Sequence, residues 1–168
     1  METFIELLAT HDVTRLVDVR RHPGSRRHPH FQRELLERTL AARGIAYVHA
    51  PDLGGHRDPR PDSPNVAWKE PAFRAYADHM ATPEFRAAAA DLVDQAGSSV
   101  TTVMCAEADP SRCHRRLLSD HLVVMGIAVH HVLPTGELLP HRLDPRAMVG
   151  DQQVTYPGEG EQLGLFDR

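Results

Sequence analysis

Val100-Thr-Thr-Val-Met-Cys105-Ala-Glu107-Ala-Asp109-Pro110-Ser-Arg112-Cys113-His114-Arg115-Arg116-Leu-Leu118 is the stretch from which the fold can be read. It reads as a short β-branched strand, an acidic turn and then a helix. Asp109 suits a helix N-cap, and Pro110 suits the first helical position, where its missing N–H is no loss. His114, Leu117, Leu118, His121, Leu122 and Met125 share one face at helical spacing, and Gly126 ends the run. Both cysteines of the chain flank this turn. Cys105 is expected at the carboxyl end of the strand, where open α/β sheets bind ligands. Cys113 and His114 are expected in the first helical turn, where the dipole favours anions and thiolates.

Working outward, residues 1–10 carry Phe4, Ile5 and Leu8 on a common helical face, and Arg15–Arg20 reads as a short buried strand. Residues 21–30 are a Pro/Gly/His/Arg loop. Phe31, Leu35, Leu36 and Leu40 form a helical stripe ending at Gly44, and Ile45–His49 is a second strand. A long Gly/Pro/Asp loop spans 51–70, of the kind that is functional or mobile. Pro71–Met80 and Pro83–Gly97 read as helices, the second capped by Thr82 with Pro83 at its first position. Ile127–Leu133 reads as the last strand. Strands alternating with helical crossovers predict an α/β domain over 1–133, with a mainly parallel sheet and helices on both faces. Periodicity ends at Pro134, so residues 134–168 are expected to form an extended tail.

The 168 residues fit one domain with a real core. No apolar run approaches a membrane span, and no signal-peptide pattern opens the chain. Two cysteines are too few for a disulfide framework, so a reducing cytoplasm is expected. A formal charge of −4 speaks against indiscriminate nucleic-acid binding, yet Arg20–Arg33 holds five arginines, three histidines and no acid.

Several segments together resemble one family. They are Leu16-Val-Asp18-Val-Arg20 with Pro23-x-Ser25-Arg26 and Pro29-x-Phe31, Gly44-Ile-x-Tyr47, and Leu53-Gly54-Gly55-x-Arg57. Tyr76-Ala-Asp-His79-Met80 with Thr82-Pro-Glu-Phe85 follows, then Cys105-x-Glu107 with Cys113-His114-Arg115. In this order, from about Phe4 to Val132, they resemble the Domain of Unknown Function 488 family. The resemblance implies bacterial α/β proteins and no stated activity. Members usually begin with a strand ending in a Thr-Ile-Gly-His-Ser-like turn, and this sequence starts after that point. Either its start is placed downstream of the strand or the strand is missing, which would remove a sheet neighbour and a possible site histidine.

The strand–Cys–loop–helix pattern invites comparison with cysteine phosphatases, but Glu107 and Asp109 would repel phosphate and Arg112 falls one residue too late. Cys105 is then either a core cysteine or a nucleophile. Adjacent Cys113 and His114 would point about 100° apart on a helix, and no second Cys pair completes a tetrahedron, so no metal or other cofactor is expected. Asp18 and Glu107 both belong at carboxyl ends of strands. They read either as general acid/base groups or as Asp18–Arg115 and Glu107–Arg20 ion pairs. In the acid-free loop, Arg20, Ser25 and Arg26 suit phosphate oxygens, with Cys113, Gly54, Gly55 and Arg57 as further substrate-binding groups. Tyr47, Trp68 and Phe31 could stack on a base or fill the core.

Gln162-Leu163-Gly164-Leu165-Phe166 is similar to the peptide by which bacterial repair proteins dock on the DNA sliding clamp. The resulting expectation is a cytoplasmic hydrolase of DNA repair or modified-base handling, attacking an N-glycosidic or phosphodiester bond. Asp18 or Glu107 would activate water, His114 would be the acid/base partner and Arg115 an electrostatic stabiliser. The alternatives are a non-catalytic clamp-tethered adaptor and a Cys105-dependent enzyme on a small molecule.

Overall fold

The computed structural model describes residues 1–24 and 27–158. Glu2–Thr10 (α1) leads into Arg15–Asp18 (β1), and Arg33–Ala41 (α2) into Ala46–His49 (β2). Pro71–Met80 (α3) and Pro83–Ser98 (α4) precede Thr101–Met104 (β3), which Arg115–Val124 (α5) follows. The three strands are parallel in the order β2-β1-β3, so the α/β class is as the alternation of elements predicts. Successive side chains of β1 point to opposite faces and sort the core into two halves. Leu16 joins Ile5, Leu8, Leu36 and Leu40 from α1 and α2. Val17 joins Tyr76, Phe85, Leu92, Leu117 and Leu118 from α3, α4 and α5.

Local signals mark the helix ends. Thr82 Oγ1 accepts from Phe85 N at 3.3 Å, capping α4. Gly126, with φ +85°, lets the chain reverse so that Ile127 N donates to Leu122 O at 3.0 Å. In the α2 stripe Leu36 and Leu40 are buried while Leu35 is 41% exposed.

The end of the chain departs from expectation in two ways. His130–Val132 (β4) does not extend the parallel sheet. It pairs antiparallel with Leu138–Pro140 (β5), because a tight turn closed by Gly136 N to Leu133 O (2.9 Å) offers a partner a few residues away. Among the described residues β3 therefore keeps one unpaired edge, separated from residues 127–132 by a cleft of about 330 Å³.

The second departure is that the described part of the expected tail packs onto the domain. Met148–Gly150 (β6) and Gln153–Thr155 (β7) form a hairpin, and Tyr156 is 0% exposed in the larger core. Polar contacts hold it as well. Tyr156 Oη donates to Asp120 Oδ2 at 2.6 Å and Tyr156 N to Asn65 Oδ1 at 2.8 Å. Asp120 Oδ1 also accepts from Asp144 N (3.0 Å) and bonds His141 Nε2 (2.8 Å), whose ring meets His131 at 2.9 Å. Buried Asp144 pairs with Arg116 and Arg146, and both guanidinium groups lie over the Trp68 ring, at 5.3 and 3.9 Å. A segment anchored by single polar contacts has no hydrophobic period to read. The 51–70 loop is likewise pinned rather than loose. Asp78 accepts from Ser63 Oγ (2.6 Å) and Asn65 Nδ2 (2.7 Å), and Trp68 is buried against Phe73. Among the described residues no helix is long and apolar enough to cross a membrane.

Truncating Tyr156 to Ala should destabilise the fold by about 3–5 kcal/mol in urea titrations, as for other buried aromatics. An undocked segment would make the change negligible. The hydrogen bonds from Arg146 hold the Asp144 carboxyl below its ordinary range, so its contribution is complete above about pH 4 and fades as acid protonates it. Urea midpoints should fall below about pH 4 in the parent and more gently in Asp144→Asn.

Candidate functional site

The carboxyl edge of the sheet gathers the ends of β1 and β3, the residue 51–57 turn and the start of α5. Asp18 closes β1 and is 0% exposed. Its Oδ1 accepts from Arg20 N (3.0 Å) and Arg20 Nε (2.8 Å), and its Oδ2 from Arg20 Nη2 and from Tyr47 Oη (2.8 Å). Burial, then this hydrogen bond, pushes the Tyr47 hydroxyl up from its ordinary value. Asp18 thus pairs with Arg20 and Tyr47, neither of which was its expected partner. Both Asp18 oxygens and the Nε and Nη2 of Arg20 are engaged with each other, which fixes the start of the loop after β1.

The 51–57 turn is a self-contained brace. A Cβ on Gly54 would stand 2.7 Å from Val19 O and 2.9 Å from Pro51 O, so only glycine allows this approach of backbone to backbone. Arg57 donates Nε to Gly54 O (3.0 Å) and Nη2 to Pro51 O (2.9 Å) and Asp52 O (3.2 Å). Gly55 faces the His114 imidazole, where a Cβ would lie 3.0 Å from Nδ1.

The decisive local event lies between β3 and α5. Asp109 does act as a cap, accepting from Ser111 N at 2.8 Å, but the helix it starts is a single 3-10 turn, Pro110–Arg112. Cys113 is extended at φ −121°, ψ 144°, and α5 begins only at Arg115, with His114 as its N-cap. Cys113 and His114 therefore do not splay apart on a helix, and the angular argument against their acting together fails. One ligand atom each from Cys105, Cys113 and His114 lies within 4.8 Å of the others.

The surroundings of the two sulfurs differ. Cys113 is 2% exposed and Cys105 only partly buried. Cys113 Sγ receives Arg115 Nε at 3.4 Å and Arg115 N at 3.5 Å, and lies 3.8 Å from His114 Nδ1. Cys105 Sγ receives Glu107 N at 3.2 Å. The neighbouring Cys105 thiol draws Cys113 down in pKa, helped by His114, and the Cys113 side chain together with burial pushes Cys105 up. Arg115 also donates Nη2 to Glu107 O (2.5 Å), tying the turn after β3 to α5. The Glu107 residue itself is exposed. His114 packs on the Tyr76 ring, 4.8 Å between centroids, and its Nε2 is buried without a hydrogen-bond partner among the described residues.

Of the residues expected to act together, Cys105, Cys113, His114 and Arg115 converge, with Glu107 beside them. Asp18, Arg20 and Arg57 hold the scaffold. Of the aromatics, Phe31 packs on Phe4 (5.3 Å), Trp68 is in the core and Tyr47 serves Asp18. Ser25 and Arg26, like the 162–166 peptide, lie outside the described residues. Sequence reading missed the Tyr47–Asp18 bond and the Asp120–His141–His131 chain. Charged residues at buried spacings, such as Asp120 inside the α5 stripe, were the available signal.

Residues 1–122 match the model of a family described as domain of unknown function DUF488. The chain belongs to the DUF488 family. The match spans the Cys105–Arg115 cluster and ends within α5. No curated protein and no solved structure matches this DUF488 chain.

Asp18→Asn should cost about 3–5 kcal/mol, because it strands a buried guanidinium. Tyr47→Phe should cost about 1.5–3 kcal/mol, the worth of a hydrogen bond to a charged group. Denaturant titration of both variants checks this. Equal and negligible losses would show that the carboxylate is not the brace of this edge.

Proposed function

We propose that this DUF488 protein is a hydrolase acting on nucleic acid, with its reaction centre at the Cys105–Arg115 turn. The observation that carries the reading is a continuity of chain. The acid-free Arg20–Arg33 loop leaves β1 next to Gly54, and the following Gly55 abuts His114. A polyanion lying along that loop would bring its backbone to the cysteine–histidine–arginine cluster. Exposed Arg21 and Arg27, with Ser25 and Arg26 between them in sequence, supply the cations.

With Asp18 committed to Arg20 and Tyr47, Glu107 is the carboxylate left to act as general base. Water oxygen would bond to the anomeric carbon or phosphorus as the bond to base or alkoxide breaks. Glu107 would take the proton of the attacking water, and His114 would return one to the leaving group. Arg115 would stabilise the charge that builds up. A cysteine nucleophile is supported less well, since Cys113 is enclosed and the Cys105 thiol donates to Glu107 O at 3.6 Å. The Gln162–Phe166 peptide supports delivery to DNA through a sliding clamp.

The test is a product screen on oligonucleotides bearing modified bases, abasic sites and nicks. Release of a base or a cut strand is expected, with Glu107→Gln slower by about 10²–10⁴-fold. Arg26→Ala should flatten the salt dependence of DNA binding by about one counterion. Changing Leu165 and Phe166 to Ala should abolish capture by the clamp and leave cleavage of free oligonucleotides intact. Clamp capture with every oligonucleotide untouched would replace the hydrolase with an adaptor.

A further inference from the structure

We infer that Cys105, Cys113 and His114 are three ligands of a zinc(II) ion whose fourth position is open. Its role in hydrolysis rests on the preceding reading; the site itself does not. Two sulfurs and an imidazole form a donor set that selects zinc over the hard cations, and three protein ligands plus a free position is the catalytic type of zinc site. The three donor atoms already cluster within 4.8 Å. With Zn–S at about 2.3 Å and Zn–N at about 2.0 Å, the edge of a tetrahedron joining S to N is about 3.5 Å. Cys113 Sγ and His114 Nδ1 stand 3.8 Å apart, so closing that edge takes a few tenths of an ångström.

Three further features fit a metal better than they fit a bare thiol pair. Among the described residues the polar neighbour of His114 Nδ1 is the cysteine sulfur, so no bond to oxygen or nitrogen is lost when that atom takes a metal. The sulfurs already have N–H donors of the kind that orient thiolate ligands, from Glu107 N at 3.2 Å and from Arg115 Nε at 3.4 Å. Gly55 leaves space at the imidazole that any side chain would invade. Zinc here would lend Lewis acidity to water beside Glu107, two residues from one ligand, and Glu107 in place of the liganded His114 would then return the proton to the leaving group.

The experiment uses the full chain, purified under reductant, with metal content measured by mass spectrometry and cobalt(II) exchanged in as a spectroscopic probe. One equivalent of zinc and a tetrahedral cobalt spectrum with thiolate charge-transfer bands are expected. Cys113→Ser should abolish those bands. Cys105→Ser, at the more exposed ligand, should do so while the metal-free protein keeps the parent's circular dichroism. Arg115→Ala should retain the bands and weaken cobalt affinity about 10–100-fold. A metal-free protein under these conditions, an octahedral cobalt spectrum, or bands unchanged in both cysteine variants would overturn the site. Undiminished DNA cleavage by chelated, metal-free protein would overturn its catalytic role and spare the hydrolase. A zinc protein that cleaves no oligonucleotide would keep the site and sink the hydrolase.

Discussion

One buried carboxylate sets the geometry of this protein's working edge. Asp18 sits at the end of the central strand, fully enclosed, and is tolerable there only because Arg20 and Tyr47 meet its oxygens. Each partner belongs to a different departing segment. Arg20 opens the loop after β1, and Tyr47 stands on β2. The same loop start is packed against Gly54 so closely that no side chain fits between them. Position is thereby transmitted from the sheet to the 51–57 turn and on to His114. The cysteine–histidine–arginine cluster is thus held from the sheet side by a buried ion pair and a glycine contact.

The second organising event is the extended residue at Cys113. A helix running unbroken from Pro110 would have directed the cysteine and histidine to different sides. The 3-10 turn ends instead at an extended cysteine, the chain re-enters a helix at Arg115, and the two side chains fall back toward Cys105. Arg115 then bridges one sulfur to the turn that carries Glu107. A buried thiol beside a guanidinium and an orphaned imidazole is costly to build without a use for it.

The sheet and its helices were legible because they are encoded redundantly. β-branched runs, i/i+4 leucines, and the Thr82-Pro83 and Gly126 punctuation each say the same thing about one element. Cys113 and His114 were misplaced because Asp109-Pro110 signals a helix start faithfully but says nothing of how far the helix runs. Asp18 was singled out as a reactive carboxylate from its place at a strand end. Its quenching by Tyr47, on a neighbouring strand, depends on register that spacing alone does not contain. The segment after Pro134 was unreadable for another reason: Asp120, His141, Asp144 and Tyr156 hold it by individual hydrogen bonds, and such contacts leave no periodic trace.

That same segment endows the molecule with an internal reporter. The chain has a single tryptophan, and two of the residues that crowd its indole, Arg146 and Tyr156, come from the segment after Pro134. Loosening of the C-terminal hairpins would uncover the indole to water and withdraw a cation from its face, while the distant α1 layer stays silent. A change in Trp68 emission that precedes loss of circular dichroism would therefore mark detachment of the C-terminal lobe ahead of melting of the sheet, with no label added.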